Sequence, residues 1–161
     1  MRKFEKRLLS FAMALFMVLS LVPVNGLTIF AAASDNAVAQ IGDVTYNTVE
    51  AAFAAATEGQ TITLLADATP ALSSQRKITN AAVIDLNGKT LTLTEDDLYF
   101  GTTTFKNGNI VVDPSVKPST AVFWMFANQT LTFDGVKLVA TGVTGTYLIG
   151  LDGNNSDLNL L

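Results

Sequence analysis

From Gln60 onward, short runs of alternating apolar and polar residues fill the chain, and other patterns are confined to what precedes it. The chain opens instead on a continuous apolar run, Leu8 to Leu21, interrupted only by Ser10 and Ser20. A strand-like piece, Ile41-Gly42-Asp43-Val44-Thr45-Tyr46, comes next after a polar leader. One helical period then follows: Val49, Ala52, Phe53 and Ala56 recur at i, i+3, i+4 and i+7, which predicts a short helix with a single side to bury. Asn47 is placed to cap its start, Glu50 stands three residues on as in a capping box, and Gly59 is placed to end it.

These short runs predict strands and no second helix. They fall at Thr61 to Leu65, Ala82 to Leu86, Thr90 to Leu93, Leu98 to Phe100, Thr103 to Phe105, Asn109 to Val112, Ala121 to Ala127, Thr130 to Phe133, Val136 to Val139, Tyr147 to Leu151 and Asp157 to Leu161. Thr, Val, Ile, Leu and Phe dominate these runs, and Gly, Asn or Asp punctuates them.

Internal similarity separates a solenoid from a sandwich. Phe105-Lys106-Asn107-Gly108-Asn109-Ile110-Val111 repeats as Phe133-Asp134-Gly135-Val136-Lys137-Leu138-Val139, and Leu131-Thr132-Phe133 repeats as Leu158-Asn159-Leu160. Ile84 to Leu91 is a looser, earlier copy. Repeats of roughly 20 to 30 residues made only of strands and turns predict a β-helix, in which side chains of one coil stack on those of the coil below. Asn87, Asn107 and Asp134 sit where each coil must bend. The expected fold class is all-β: a right-handed single-stranded parallel β-helix, or solenoid, capped at its N-terminal end by one short amphipathic helix. Its expected parts are a capping strand and helix over 41–59 and coils over 60–161 that stop inside an apolar strand, so that the last coil is incomplete. That stop suggests a truncated frame or a fragment, and predicts self-association through the uncovered coil.

Residues 41–46, Thr48-Val49-Glu50-Ala51-Ala52-Phe53, Gly59-Gln60-Thr61-Ile62-Thr63-Leu64-Leu65 with Asp67, and Ile84-Asp85-Leu86-Asn87-Gly88-Lys89-Thr90-Leu91 together resemble the opening of the pectate-lyase-like β-helix domains of large bacterial surface proteins. The resemblance spans residues 38 to about 140. It implies a secreted or wall-displayed scaffold, ordinarily much longer than this chain.

The opening run changes the picture of compartment. Arg2, Lys3, Lys6 and Arg7 precede it, Pro23, Asn25 and Gly26 break any helix after it, and Ala31-Ala32-Ala33 offers small side chains to a signal peptidase. A signal peptide over 1–33 and a polar leader over 34–40 are expected. A retained membrane anchor is the alternative, since the run is long for a signal; the helix breakers and the Ala-x-Ala site favour cleavage. Of ten basic and fourteen acidic side chains, four and one lie before Ser34, leaving six against thirteen and a net charge of minus seven. Such a surface repels phosphate backbones, which argues against a nucleic-acid partner. Cys is absent, and an exported protein without disulfides points to a bacterium of the Gram-positive type.

The inventory excludes much chemistry. With no His and no Cys, Ser-His-Asp and Cys-His catalysis and His- or Cys-ligated zinc are out of reach. No phosphate-binding glycine loop is present. Arg76, the one arginine after Ala33, would have to serve as a lyase base, but it stands with Lys77 in a polar stretch where a solvated turn is the simpler account. Glu95-Asp96-Asp97 is the sole acidic run, and neighbouring residues of a strand point to opposite faces, which does not suit paired carboxylates. No catalytic residues and no cofactor are therefore expected. Asp152, Asn154 and Ser156 alternate as the first ligands of a calcium loop do, but the stretch lacks the glycine such a loop needs at its sixth place, and a plain Asx-rich turn is the favoured account.

Ala121-Val122-Phe123-Trp124-Met125-Phe126-Ala127 is apolar on both parities, so one set must face outward. Trp124, Phe126 and Phe123 are the candidate binding residues, because an outward aromatic ring can stack on a sugar. Packing under a neighbouring loop is the competing account. The sequence thus predicts a secreted or cell-surface scaffold, adhesin-like and non-enzymatic, with a glycan or a host or matrix protein as its partner. The alternative is the N-terminal fragment of a lyase or hydrolase acting on acidic polysaccharide, with its active residues on later coils.

Overall fold

The computed structural model describes residues 36–73, 77–117, 121–144 and 147–161, all within one compact unit. The expected signal peptide and Arg76 lie outside these residues. Among the described residues no helix is long and apolar enough to cross a membrane.

The strands are β1 (Ala39–Ile41), β2 (Val44–Tyr46), β3 (Thr61–Leu64), β4 (Val83–Asp85), β5 (Thr90–Leu93), β6 (Thr103–Val112), β7 (Ala121–Phe126), β8 (Thr130–Val139), β9 (Tyr147–Asp152) and β10 (Asp157–Leu160). One helix, α1 (Val49–Ala55), stands between β2 and β3. Strands β3, β4, β6, β8 and β10 pair in parallel, each with the next, and β5 pairs with the second half of β6. A second parallel sheet joins β7 to β9, and Leu98 extends it by bridging to Phe123. Wound in this way the chain is a parallel β-helix of about four turns with a helical cap.

Register explains the core. Ile62 lies opposite Ile84, Ile84 opposite Phe105, Phe105 opposite Phe133 and Phe133 opposite Leu160, so one inner column runs the length of the ladder. A second column runs through Leu91, Ile110 and Leu138, and a third through Leu98, Phe123 and Ile149. The aromatic members pack on one another: Phe105 stacks on Phe133 at 5.6 Å and meets Phe100 edge-on at 5.0 Å. Burying each such side chain contributes about 1.5–3 kcal/mol, and no single coil supplies both sides of a column.

The bends are where coils differ. Leu86-Asn87-Gly88-Lys89 separates β4 from β5, whereas in the next coil Asn107 and Gly108 span the corner and β6 runs on unbroken. A side chain at Gly108 would put its Cβ 2.5 Å from the Cβ of Leu86 and 2.7 Å from the Lys89 carbonyl oxygen, so the tighter corner needs glycine. Asn87 and Asn107 adopt positive φ, as expected of bend residues; in the following coil the position belongs to Gly135, with Asp134 still on the strand opposite Lys106. The Asn87 amide donates to the Leu64 carbonyl of the coil below at 3.0 Å.

Three local expectations need correction at the capped end, and one is the stop at Gly59: α1 ends at Ala55 with Ala56 as its C-cap. Residues 41–46 are not one strand: Gly42, at φ 56°, turns the chain, and β1 pairs antiparallel with both β2 and β3. The helix is capped by Thr48 rather than Asn47, because extended backbone persists through Thr48 and its hydroxyl accepts from the Ala51 N–H at 3.2 Å. Glu50 consequently completes no capping box and instead accepts from the Ala71 N–H at 2.7 Å, tying the helix to the segment after β3. Val49, Ala52 and Phe53 are buried as the periodicity predicts, and Phe53 meets Phe100 edge-on at 6.1 Å.

Candidate functional site

The outer face of the β7–β9 sheet carries the candidate platform. Strand alternation sends Ala121, Phe123 and Met125 to the interior and leaves Trp124 and Phe126 on the other face. Phe123, expected among the binding residues, is only 1% exposed and packs against Phe133, Phe100 and Phe105. It is a member of the core column and offers no face to a ligand. Val122 shares the parity of Trp124 and Phe126 yet is also fully buried, so the outer face opens only from Trp124 onward.

Trp124 is held by its partner in the ladder. It lies opposite Gly150, and a Cβ added there would come within 2.4 and 2.5 Å of the indole ring atoms Cζ3 and Cε3. The indole therefore lies against bare backbone, in space that any other residue at 150 would fill. Trp124 stays partly exposed and Gly150 is buried.

Phe126 is 42% exposed, and its ring meets that of Tyr99 edge-on at 4.9 Å. Tyr99 reaches this face because Leu98 bridges to Phe123, which brings the segment beside β7 one coil earlier. The Tyr99 hydroxyl accepts a hydrogen bond from Nε2 of Gln129, while Oε1 of Gln129 accepts from the Phe126 N–H at 2.9 Å. Gln129 thus fastens the turn after β7 and orients the tyrosine at once. Sequence reasoning passed over Tyr99 and Gln129. Tyr99 carried no repeat signal, since the pairing of Leu98 with Phe123 that brings it to this face is seen only in the fold. Gln129 sits in a turn, outside any alternating run.

The stretch Asp152 to Ser156, favoured in the sequence as an Asx-rich turn over a calcium loop, packs on this turn. Asp152 ends β9 opposite Phe126, the Asn154 carbonyl accepts from the Asn128 N–H at 3.2 Å, and the Ser156 hydroxyl donates to the Phe126 carbonyl at 2.8 Å. Asn128 and Asn155 both have positive φ and their amides meet at 3.4 Å. Turn stacked on turn is what places these polar groups. Among the described residues no three His, Cys, Asp or Glu side chains gather as a metal site would require.

The other charged candidates are scattered. Glu95 is exposed and Asp97 takes positive φ at a bend, its N–H donating to the Ala121 carbonyl at 2.8 Å. Lys77 bridges to Tyr99 as a short parallel pair, with its aliphatic chain over Gly101. Asp113 accepts from the Ser115 hydroxyl at 2.5 Å and from its N–H at 2.8 Å, which holds its carboxyl below the ordinary aspartate value.

No protein-family model, no curated protein and no solved structure matches this chain.

Proposed function

We propose that the chain is a secreted or cell-surface scaffold, adhesin-like and without catalysis, which holds glycans on the aromatic face formed by Trp124, Phe126 and Tyr99. Within this reading the solenoid is one of the pectate-lyase-like domains that the residues around α1 and Ile84 to Leu91 resemble. The observation that carries it is the indole of Trp124 lying on the backbone of Gly150, on the same strand face as the exposed ring of Phe126. An immobilised aromatic ring stacks on the C–H face of a sugar at little entropic cost. The acidic excess after Ala33 disfavours polyuronates and favours neutral glycans.

The test is retention of residues 34–161 on a panel of immobilised neutral and acidic glycans. Trp124→Ala and Phe126→Ala are each expected to weaken retention by about tenfold or more, with the circular dichroism spectrum unchanged. Absence of retention on every glycan would overturn the reading. Release of unsaturated or reducing ends from polyuronate with calcium would replace it with an enzymatic one.

A further inference from the structure

The aromatic face of the β7–β9 sheet has one charged member. In the register of the two strands Asp152 lies opposite Phe126, two residues beyond the pairing of Gly150 with Trp124. Strand alternation therefore sends Asp152 out on the same face as both rings, from a strand about 4.8 Å from β7. It is exposed, and among the described residues no donor engages its carboxylate. Several other carboxylates are engaged in holding the fold: Asp85 meets Lys106 at 3.3 Å, Asp67 accepts from the Thr90 N–H at 2.8 Å and Glu50 from the Ala71 N–H. The turn after β9 bonds instead through the Asn154 carbonyl, the Asn155 amide and the Ser156 hydroxyl, and leaves Asp152 out.

The base of this side chain is fixed. Gly153, at φ 117°, brings the turn so close to the coil below that a Cβ there would stand 2.7 Å from the Cβ of Ala127 and 3.0 Å from its backbone nitrogen. The exposed Phe126 ring thus stands between Tyr99, edge-on from the coil before, and a free carboxylate from the coil after. Whatever stacks on β9 flanks this face without covering it, because outer side chains point away from the solenoid axis. A sugar lying on an aromatic ring carries its hydroxyls around its rim, and the two oxygens of a carboxylate accept from two adjacent ones. An anionic sugar in the same place meets like charge. We infer that Asp152 sets the specificity of the aromatic face, an inference that rests on the glycan reading above: its carboxylate accepts from two neighbouring hydroxyls of a neutral sugar stacked on Phe126 and turns away uronates and sulfated sugars.

Retention of residues 34–161 is to be measured on a β-glucan, an α-glucan and a galactomannan, each native and O-methylated, and on polygalacturonate. Asp152→Asn and Asp152→Ala should each weaken retention on the native neutral glycans by about fivefold or more, and both should gain on polygalacturonate. Methylation removes the donors and leaves the rings their stacking partner, so it should weaken the parent and hardly change Asp152→Ala, as two losses of one interaction must. Trp124 is the sole tryptophan, and its emission, with circular dichroism, should be the same in the parent and both variants if the face is intact. Retention unchanged in both variants while Trp124→Ala loses it would overturn the role of Asp152 and leave the glycan reading standing. An equal further loss on methylation in Asp152→Ala, or retention by the parent that disappears with a calcium chelator, would also overturn that role. No retention of the parent on any neutral glycan would overturn both.

Discussion

Asp113 is the residue whose environment makes the clearest demand on pH. Its carboxylate accepts first from the Ser115 hydroxyl and then from the Ser115 N–H, both of which favour the charged form, so its folded pKa lies below the unfolded one. A group shifted in this direction stabilises the fold fully above its unfolded value, and that contribution is lost as pH falls through the folded value. The window therefore lies below about pH 4, and nothing near neutrality should change. Carboxyl-detected NMR titration should place the Asp113 midpoint below that of an ordinary aspartate, and Ser115→Ala should move it up. An unmoved midpoint in that variant would show that the serine is not the cause.

At the scale of elements, the ladder was the most legible feature of the sequence because registration of like side chains is itself a sequence repeat. Phe105 pairs with Phe133 and Leu131 with Leu158 at the offsets the repeats predict, and β5 has the predicted bounds. Runs read separately, Thr103 to Phe105 with Asn109 to Val112, fuse into β6, since a corner two residues wide does not interrupt parallel pairing. The β1–β2 hairpin escaped because Gly42-Asp43 was read as the interior of a strand, although the turn chemistry was present. The facing of β7 was only half legible: alternation allowed two outward sets, and only packing among Phe100, Phe105 and Phe133 settles that Phe123 goes in and Trp124 out. Helix α1 was found by period and missed by one residue at its cap. Thr48→Ala should cost about 1 kcal/mol in urea denaturation, as for other N-cap truncations, and Thr48→Ser should restore most of it. Equal losses in both variants would assign the effect to the methyl group rather than the hydroxyl.

Over the described residues, stability should run downhill from the middle of the solenoid to the coil that holds β9 and β10. Every coil is stabilised by the coils it touches, so an interior rung has two neighbours, the first is closed by α1 and the β1–β2 hairpin, and the last has one. The column through Ile62, Ile84, Phe105, Phe133 and Leu160 shows this gradient within one chemical type of side chain. The first four are at most 3% exposed, and the fifth, in register with them, is 70% exposed. Phe105→Ala removes a ring packed against three others and should cost about 3–5 kcal/mol. Leu160→Ala removes a side chain with packing on one side only and should cost less than about 1 kcal/mol. Hydrogen exchange at low protein concentration should follow the same order, with β6 amides protected to near the global unfolding limit and β10 amides opening far more readily. Protection of β10 equal to that of β6 in dilute monomer would mean that coils do not depend on their neighbours in this way.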